Sequence, residues 1–386
     1  MAESNLVLEN NRNSIILEKL KTTKFDERES MSNICYDNIP NNYNSVIKIS
    51  NYNISPTVPV AGTIYKFPID SICFLKKLVL EVTLVRTAGD YVGPNTTNLG
   101  CLLFKKIKLV QNGNNVLFEN NPGYLLCRIE ESNYTKQQLY NNITSTLPDE
   151  TTNVIQIPLF SYFTDHIVNN ILLDTTKNLE VHCEYNSELT FDPVLTSMDV
   201  KLVMYRTCYE NEQINYYRKT AFNKPSLNFL GYGVSLTKLT LANGSSSRTV
   251  DISNKMLLQS IHLAIFKYPT AETVAINSID IQLADKYIVK DLTKNLGILN
   301  IQWGPDELSE NDIVVANSTT TTFSYFFGKQ RRLMHSGSLD ASMTPVYLTI
   351  NYDTLDASAE LYINLEYMNV ISLETQTGTY NSGIVH

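Results

Sequence analysis

Apolar and polar residues alternate with a period of two along most of the chain, as they do in strands with one buried face. In residues 74–86 (FLKKLVLEVTLVR), Leu78, Leu80, Val82 and Leu84 would share one face. The first half gives strand candidates at 45–52, 63–69, 74–86, 102–110, 116–119, 154–163, 179–185 and 200–205. The second half gives candidates at 234–241, 248–252, 257–266, 279–283, 322–327, 346–351 and 361–370. The pattern predicts an all-β chain.

Three features interrupt the strand pattern. Asn112-Gly113 lies between two strand candidates, and Asn-Gly in that position predicts a tight hairpin. The apolar positions of residues 123–140 (GYLLCRIEESNYTKQQLY) fit a helix better than a strand, and residues 287–296 (YIVKDLTKNL) predict a second short helix. Residues 14–20 (SIILEKL) are amphipathic and predict a third.

The layout occurs twice. The first copy consists of a strand at Ile107, a turn, a helix and an aromatic cluster at 160–163. The second copy has the same order: a strand at Ile279, a turn, a helix and an aromatic cluster at 323–327. The two copies are offset by roughly 165–170 residues. Each half holds about eight strand candidates, which is the number in a jelly roll. We therefore predict two consecutive eight-stranded jelly rolls (a double jelly roll) with short inserted helices.

Polar stretches set the expected boundaries. Residues 1–44 are polar and predict an N-terminal arm, and the polar run at 210–220 (ENEQINYYRKT) predicts a linker. The expected organisation is an arm at 1–44, a first jelly roll at 45–209, a linker at 210–226, a second jelly roll at 227–372 and a tail at 373–386.

Composition narrows the classes of function. The 386 residues are 43% hydrophobic, too apolar for a disordered chain, and the net charge of -8 argues against a surface that neutralises phosphates. The arm carries charges of both signs, so it is not a basic nucleic-acid arm. The N-terminus lacks a basic segment followed by an apolar run, and no stretch reaches the length of a membrane span. These features predict synthesis in the cytosol.

Cysteine and histidine do not form motifs. No two of the six cysteines form a C-x-x-C pair, which favours free buried thiols. These are Cys35, Cys73, Cys101, Cys127, Cys183 and Cys208. His182 and His262 lie in strand candidates, which predicts structural roles. His335 follows Arg331 and Arg332, and a solvated loop is a better interpretation than an anion site.

The remaining candidates for chemistry are weak. One candidate for a divalent-cation site is an acidic run that comprises Asp306, Glu307, Glu310 and Asp312. It lacks the spacing of an EF-hand loop, so we interpret it as a solvated charge run. Gly233 and Gly244 each begin a Gly-x-Ser, but neither continues to the second glycine of a nucleophile elbow. Trp303 alone is a poor sugar platform. We predict no catalytic, cofactor-binding or metal-binding residues, no cofactor and no enzymatic activity.

Five passages, in order, resemble the double jelly-roll major capsid proteins of large eukaryotic DNA viruses, virophages and tailless membrane-containing phages. Two are the passages 67–84, with LKKLVLEVTL at its end, and 103–131, which reads LFKKIKLVQNGNNVLFENNPGYLLCRIEE. The other three are 157–185, 323–352 and 367–383. The similarity covers about 300 residues and concerns pattern and order rather than identity.

The resemblance implies a structural major capsid protein that trimerises into pseudo-hexameric capsomers, which tile an icosahedral shell. The implied location is the virion capsid. The implied partners are further copies of the chain, penton and minor capsid proteins, and, in several relatives, an underlying membrane, with no direct sequence-specific binding of nucleic acid. The alternative is a jelly-roll spike, penton or glycan-binding virion protein.

Overall fold

The structure is a computed structural model that describes much of the chain. The described residues are 42–53, 56–69, 74–87, 98–132, 134–145, 151–165, 171–172, 178–191, 194–209, 226–253, 257–268, 272–293, 321–328, 338–341, 344–374, 377 and 379–381. The predicted helix at 14–20 lies outside them.

In the first jelly roll the described residues form nine strands. In chain order they are β1 (Asn42–Ser50), β2 (Ile64–Ile69), β3 (Phe74–Arg86), β4 (Phe104–Gln111), β5 (Asn115–Asn120), β6 (Thr152–Pro158), β7 (Ile171–Leu172), β8 (Leu179–Tyr185) and β9 (Leu195–Tyr209). One antiparallel sheet has the order β1-β9-β3-β6, with the short β7 also on β3, and the other has the order β2-β8-β4-β5.

The second jelly roll repeats this topology. Its strands are β10 (Ser226–Leu241), β11 (Ser247–Asp251), β12 (Leu257–Lys267), β13 (Glu272–Thr273), β14 (Ile276–Leu283), β15 (Lys286–Thr293), β16 (Phe323–Phe326), β17 (Leu339–Asp340), β18 (Val346–Tyr352), β19 (Ala359–Glu374) and β20 (Thr379–Asn381). In one sheet β10, β19 and β12 are neighbours and β16 pairs with β12; the other has the order β11-β18-β14-β15. The predicted double jelly roll is therefore confirmed.

The helices that the structure describes lie in the first jelly roll. They are α1 (Leu99–Leu102), α2 (Pro122–Glu130), α3 (Tyr134–Thr144) and α4 (Tyr162–Asp165). The predicted helix at 123–140 is thus two helices, α2 and α3. The predicted hairpin is confirmed: Gln111 pairs with Asn115, and in the three-residue connection between them Asn112 and Gly113 both have positive φ, at 52° and 80°.

Two local predictions are wrong. Residues 287–296 do not start a helix: β15 pairs with β14 in an antiparallel hairpin that includes Gln282 opposite Tyr287. The repeat therefore holds for the strands but not for this helix. The strand predicted at 154–163 ends at Pro158, and the chain turns into α4 at Tyr162.

Each jelly roll has its own apolar core between its two sheets. The predicted face of β3 is buried in the first core, where Leu80, Val82 and Leu84 have no exposed surface. In the second core, β12 and β19 contribute alternate residues such as Leu263 and Ile363. β12 differs from an ordinary outer-sheet strand because ten consecutive residues are buried, on both of its faces. Something must therefore cover the outer side of this sheet.

No helix among the described residues has the length and apolar character needed to cross a bilayer.

Candidate functional site: the junction between the two jelly rolls

Helix α2 of the first jelly roll covers the outer face of the β10-β19-β12 sheet. It begins with Pro122 in its first turn, and the side chain of Asn121 caps it by accepting a hydrogen bond from the Tyr124 amide at 3.0 Å. Every residue from Pro122 to Ile129 is buried. A helix inserted between β5 and β6 thus becomes the contact between the jelly rolls.

The helix approaches the sheet closely at Gly123. A Cβ atom on this glycine would lie 2.6 Å from Cβ of Tyr362 in β19 and 3.3 Å from Cβ of Ala264 in β12. A contact of 2.6 Å is essentially never seen for a real Cβ atom, so any larger residue at position 123 would force the helix or Tyr362 to shift. The glycine therefore sets the depth of the junction.

Polar side chains on β19 pair with the start of α2. Asn121 Nδ2 donates a hydrogen bond of 2.6 Å to Asn364 Oδ1, and Tyr124 Oη donates one of 2.6 Å to Glu366 Oε1. These four side chains are almost completely buried. Buried polar groups need such partners, so the pairs fix the position of α2 along β19.

Arg128 continues this network along α2. Its guanidinium lies between two buried carboxylates, with Nε 3.0 Å from Glu131 Oε1 and Nη1 3.7 Å from Glu366 Oε1. Nη1 also donates a 2.8 Å hydrogen bond to Tyr124 Oη, and the guanidinium carbon lies 4.7 Å from the centre of the Phe160 ring. The cation therefore has both ionic and aromatic partners in an almost completely buried site.

His262 lies on the sheet side of the network and has no exposed surface. Nε2 is 2.9 Å from Ser260 Oγ and 3.3 Å from Glu366 Oε1. Nδ1 is 2.9 Å from Ser324 Oγ and 3.4 Å from Glu131 Oε2. Both ring nitrogens thus face a carboxylate, one from each jelly roll.

Ion pairs and hydrogen bonds continue the junction toward its edges. At the end of α2, the Glu130 carboxylate accepts hydrogen bonds from the backbone amides of Thr321 and Thr322 at 3.3 and 3.0 Å. Elsewhere Lys238 of the second jelly roll lies 2.6 Å from Glu360 and 4.0 Å from Glu188 of the first. These contacts are partly exposed, so the surrounding water and salt screen them.

The corresponding sheet of the first jelly roll presents a different outer face. Its strands β1, β9 and β3 match β10, β19 and β12 in sheet order. Val46 and Tyr205 lie opposite each other in adjacent strands and are 54% and 39% exposed. Lys48 forms a 2.7 Å ion pair with Glu81 on the same sheet. No other described residue covers Val46, so among the described parts of the chain this face is open to solvent.

A groove of about 420 Å³ runs beside the junction, between β5 and β10. Tyr162 and Tyr232 meet edge to face in its wall, with ring centres 6.1 Å apart. Burial raises the pKa of Tyr162 well above its ordinary value, so its hydroxyl group remains protonated. Tyr162 is therefore a neutral polar residue in the wall of the groove.

The histidines and thiols predicted to be structural lie apart from any catalytic arrangement. His182 in β8 is partly exposed and lies 2.7 Å from Glu180, whose pKa is lowered chiefly by this hydrogen bond. Four of the cysteines are free and buried, as predicted; they are Cys101, Cys127, Cys183 and Cys208. Burial raises the pKa of Cys101 and Cys127 well above the ordinary thiol value, so neither is a nucleophile.

Of the other sequence candidates, Gly233 lines the groove beside the junction, and the rest lie in a turn or outside the described residues. Gly233 lies within β10 and Gly244 in a turn with φ of 78°. The remaining candidates lie outside the described residues. They are Cys35, Cys73, Trp303, the acidic run at 306–312, and His335 with Arg331 and Arg332. Among the described residues, no three His, Cys, Asp or Glu side chains gather in a way that would hold a metal ion.

Comparison with solved structures shows which proteins share this fold. VP54 of PBCV-1 superposes with a TM-score of 0.70 at 11% identity, over 91% of this chain and 98% of that one. The Faustovirus major capsid protein gives 0.61 at 10% identity, over 95% and 98%. The major capsid protein of STIV, Sulfolobus Turreted Icosahedral Virus, gives 0.55 at 8% identity, over 85% and 96%. No protein-family model and no curated protein matches the sequence.

Proposed function

We propose that this chain is a structural, non-enzymatic major capsid protein that trimerises into pseudo-hexameric capsomers of an icosahedral shell. The shared fold supports the capsid role, since the proteins with this double jelly roll over nearly their whole length are capsid proteins. At 8–11% identity the likeness concerns the fold, so the function rests on the surfaces of this chain.

One observation supports the proposed trimer: the outer faces of two equivalent sheets, one in each jelly roll, differ in burial. The outer face of β10-β19-β12 is covered by the neighbouring jelly roll, whereas the equivalent face with Val46 and Tyr205 is open. A contact between unlike surfaces that is repeated from chain to chain builds a closed ring or an open filament. Three copies closed in this way give a ring of six jelly rolls.

The proposed contact pairs the open face of one copy with the second jelly roll of the next. Tyrosine and valine on this face suit the centre of such an interface, and the Lys48–Glu81 pair suits its edge. The segment that corresponds to α2, residues 294–320 between β15 and β16, lies outside the described residues.

The same proposal includes the location and the wider set of partners. The chain would be made in the host cytosol and would end in the virion capsid, where penton and minor capsid proteins and an underlying membrane are its further partners. The net charge of -8 supports a shell component that does not bind the genome directly.

Light scattering after size exclusion tests the trimer. We expect a particle of about 131 kDa, three times the 43.7 kDa chain. Tyr205→Glu adds a charge to the open face and should convert trimers to monomers, because a charge without a partner is costly in an interface. Ile64→Glu is the matched control: Ile64 is 38% exposed, against 39% for Tyr205, but lies on the other sheet of the first jelly roll.

Two outcomes would contradict the proposal. One is equal loss of trimers in both variants. The other is a wild-type chain that remains monomeric at all concentrations and binds glycans, which would favour the spike, penton or glycan-binding alternative.

A further inference from the structure

Strands β5 and β15 occupy the same place in the two jelly rolls. Each is the edge strand of its sheet, in the orders β2-β8-β4-β5 and β11-β18-β14-β15. The pair of residues next to the turn is Gln111 with Asn115 in one hairpin and Leu283 with Lys286 in the other. In both hairpins the register shifts after the second pair, so the two strands can be aligned residue by residue.

Equivalent side chains on these two strands differ in burial. The alignment places Ile288 at the position of Leu117, and Tyr287 at the position of Val116. Leu117 is only 6% exposed, whereas Ile288 is 43% and Tyr287 is 55% exposed. The apolar edge that is covered on β5 is therefore open on β15 among the described parts of the chain.

Strand β10 lies against the edge of β5. The groove between the two strands is lined by residues 116–119 on the side of β5 and by residues 233–236 on the side of β10. Since β5 belongs to the first jelly roll and β10 to the second, this contact is part of the junction within the chain. A corresponding contact at β15 needs another strand that is equivalent to β10.

Strand β1 occupies in the first jelly roll the place that β10 occupies in the second. Each is the edge strand of its sheet, in the orders β1-β9-β3 and β10-β19-β12. The register of β3 with β9 shifts between Leu75 and Lys77, and that of β12 with β19 shifts between Leu258 and Ser260, which aligns the two sheets. β1 is thus the strand against which β15 can repeat the contact of β5 with β10.

The aligned sheets place Val46 at the position of Val234. One row of neighbours across the first sheet consists of Lys77, Tyr205 and Val46. The corresponding row across the second sheet consists of Ser260, Glu366 and Val234. Val234 lines the groove beside β5, whereas Val46 is 54% exposed.

A copy of α2 from another chain does not fit the open face. Tyr205 stands at the position of Glu366, and in the next row Val203 stands at the position of Asn364. Asn364 and Glu366 are the side chains that accept hydrogen bonds from the start of α2. Valine has no polar atom for this purpose, so the neighbouring copy must present a different surface.

We propose that β15 of one copy packs beside β1 of the next copy, with Tyr287 and Ile288 against Val46. This inference rests on the trimer proposed above and names the surface of the second jelly roll that forms its contact. Such contacts between chains would alternate around the ring with the β5–β10 contacts within chains, which closes the assembly.

The chemistry of β15 suits a contact that forms after the chain has folded. Tyrosine is enriched in protein interfaces, and Lys290 Nζ lies 5.4 Å from the centre of the Tyr287 ring, so a charge borders the apolar edge. Lysine on an edge strand opposes indiscriminate pairing with other strands. The edge therefore remains soluble in a free chain and accepts a partner of matching shape.

A charge on β15 tests the contact in the full chain. Ile288→Glu should raise the concentration at which trimers dissociate by about tenfold or more, measured by light scattering after size exclusion, because it buries a charge in the interface. Ile64→Glu is the matched control: the substitution is identical, and Ile64 is 38% exposed but lies on β2, at the opposite edge of its sheet from β5. Both variants should melt like the wild type, since both side chains are partly exposed.

Disulfide trapping tests the pairing of the two strands directly. In the double variant Val46→Cys with Ile288→Cys, mild oxidation should link neighbouring chains into dimers and trimers on a non-reducing gel. Each single variant, and the pair Ile64→Cys with Ile288→Cys, should remain unlinked. These controls also report any background from the natural cysteines.

The outcomes separate this contact from the trimer itself. A wild-type chain that stays monomeric would contradict both. A trimer that tolerates Ile288→Glu as well as Ile64→Glu, or in which the Val46→Cys and Ile288→Cys thiols do not link, would overturn the β15–β1 contact and leave the trimer standing.

Discussion

The outer faces of two equivalent sheets differ in what they carry. On the second jelly roll the face holds Ser260, His262, Asn364 and Glu366, all buried under α2. On the first, the equivalent face holds Val46 and Tyr205 beside an ion pair that is partly in water. The covered face thus buries polar side chains together with apolar ones such as Ala264 and Phe266, whereas the open face keeps its charged residues in partly exposed ion pairs such as Lys201–Asp199.

The difference between the two faces reflects their different physical requirements. The covered face has a single partner in a fixed position, so its polar groups can be matched atom to atom with those of α2 and specify one register. The open face must remain soluble in a free chain. Scattered apolar side chains and an exposed ion pair meet that requirement.

Removing the arginine from the covered face should have the largest effect. Arg128→Met leaves two buried carboxylates without their guanidinium partner and should lower the free energy of unfolding by about 3–5 kcal/mol. Urea unfolding measures this loss. Arg248→Met, at an exposed position in β11, is the control and should stay within about 0.5 kcal/mol of the wild type.

Adding one methyl group between helix and sheet should have an intermediate effect. Gly123→Ala would bring a methyl group to 2.6 Å from Tyr362 Cβ, and overpacking of this kind costs about 1–3 kcal/mol. Alanine favours a helix over glycine by about 1 kcal/mol, which acts in the opposite direction. A net gain in the same urea experiment would mean that α2 lies further from the sheet than described.

Breaking the ion pair on the open face should have the smallest effect. Lys48→Met removes the contact with Glu81, but the lysine side chain is 56% exposed, so the loss should stay below about 1 kcal/mol. A loss above 2 kcal/mol would contradict a solvated open face. Together with Arg128→Met, this variant measures how much burial changes the contribution of a charged pair.

Local patterns in the sequence were sufficient for β3, β8 and the first hairpin. β3 and β8 begin and end where alternation predicts, because both have one face in a core and one face outside it. The Asn112-Gly113 turn was predictable because few residue pairs accept positive φ in succession. The two-copy architecture followed from the number of strands.

The failed helix prediction has a physical reason. β15 is an edge strand whose side chains are mostly exposed, so no buried face imposes a period of two. Its register with β14 shifts twice, and Asp291 has a φ of 50°, which further disturbs alternation. The apolar spacing at 287–296 then resembles a helix, although Ile288 and Val289 are β-branched residues that favour strands.

The junction could not be predicted from local pattern at all. His262 was predicted to be structural, yet nothing near it in the sequence indicates that Glu131 and Glu366 would approach its two nitrogens. These contacts depend on how two separately patterned jelly rolls pack together. Only the tertiary arrangement brings the charges into one site.

Distance along the chain gives the junction a consequence for biosynthesis. Tyr124 and Glu366 are separated by 242 residues, so at a ribosomal rate of about 5–20 residues per second the helix emerges roughly 10–50 s before its partner strand. Once Tyr209 at the end of β9 has also emerged, the first jelly roll is fully translated while Arg128 still lacks its partner Glu366. The charges of Arg128 and Glu131 keep this surface of the nascent chain hydrated. A purely apolar junction would instead expose a hydrophobic patch that could aggregate with other nascent chains.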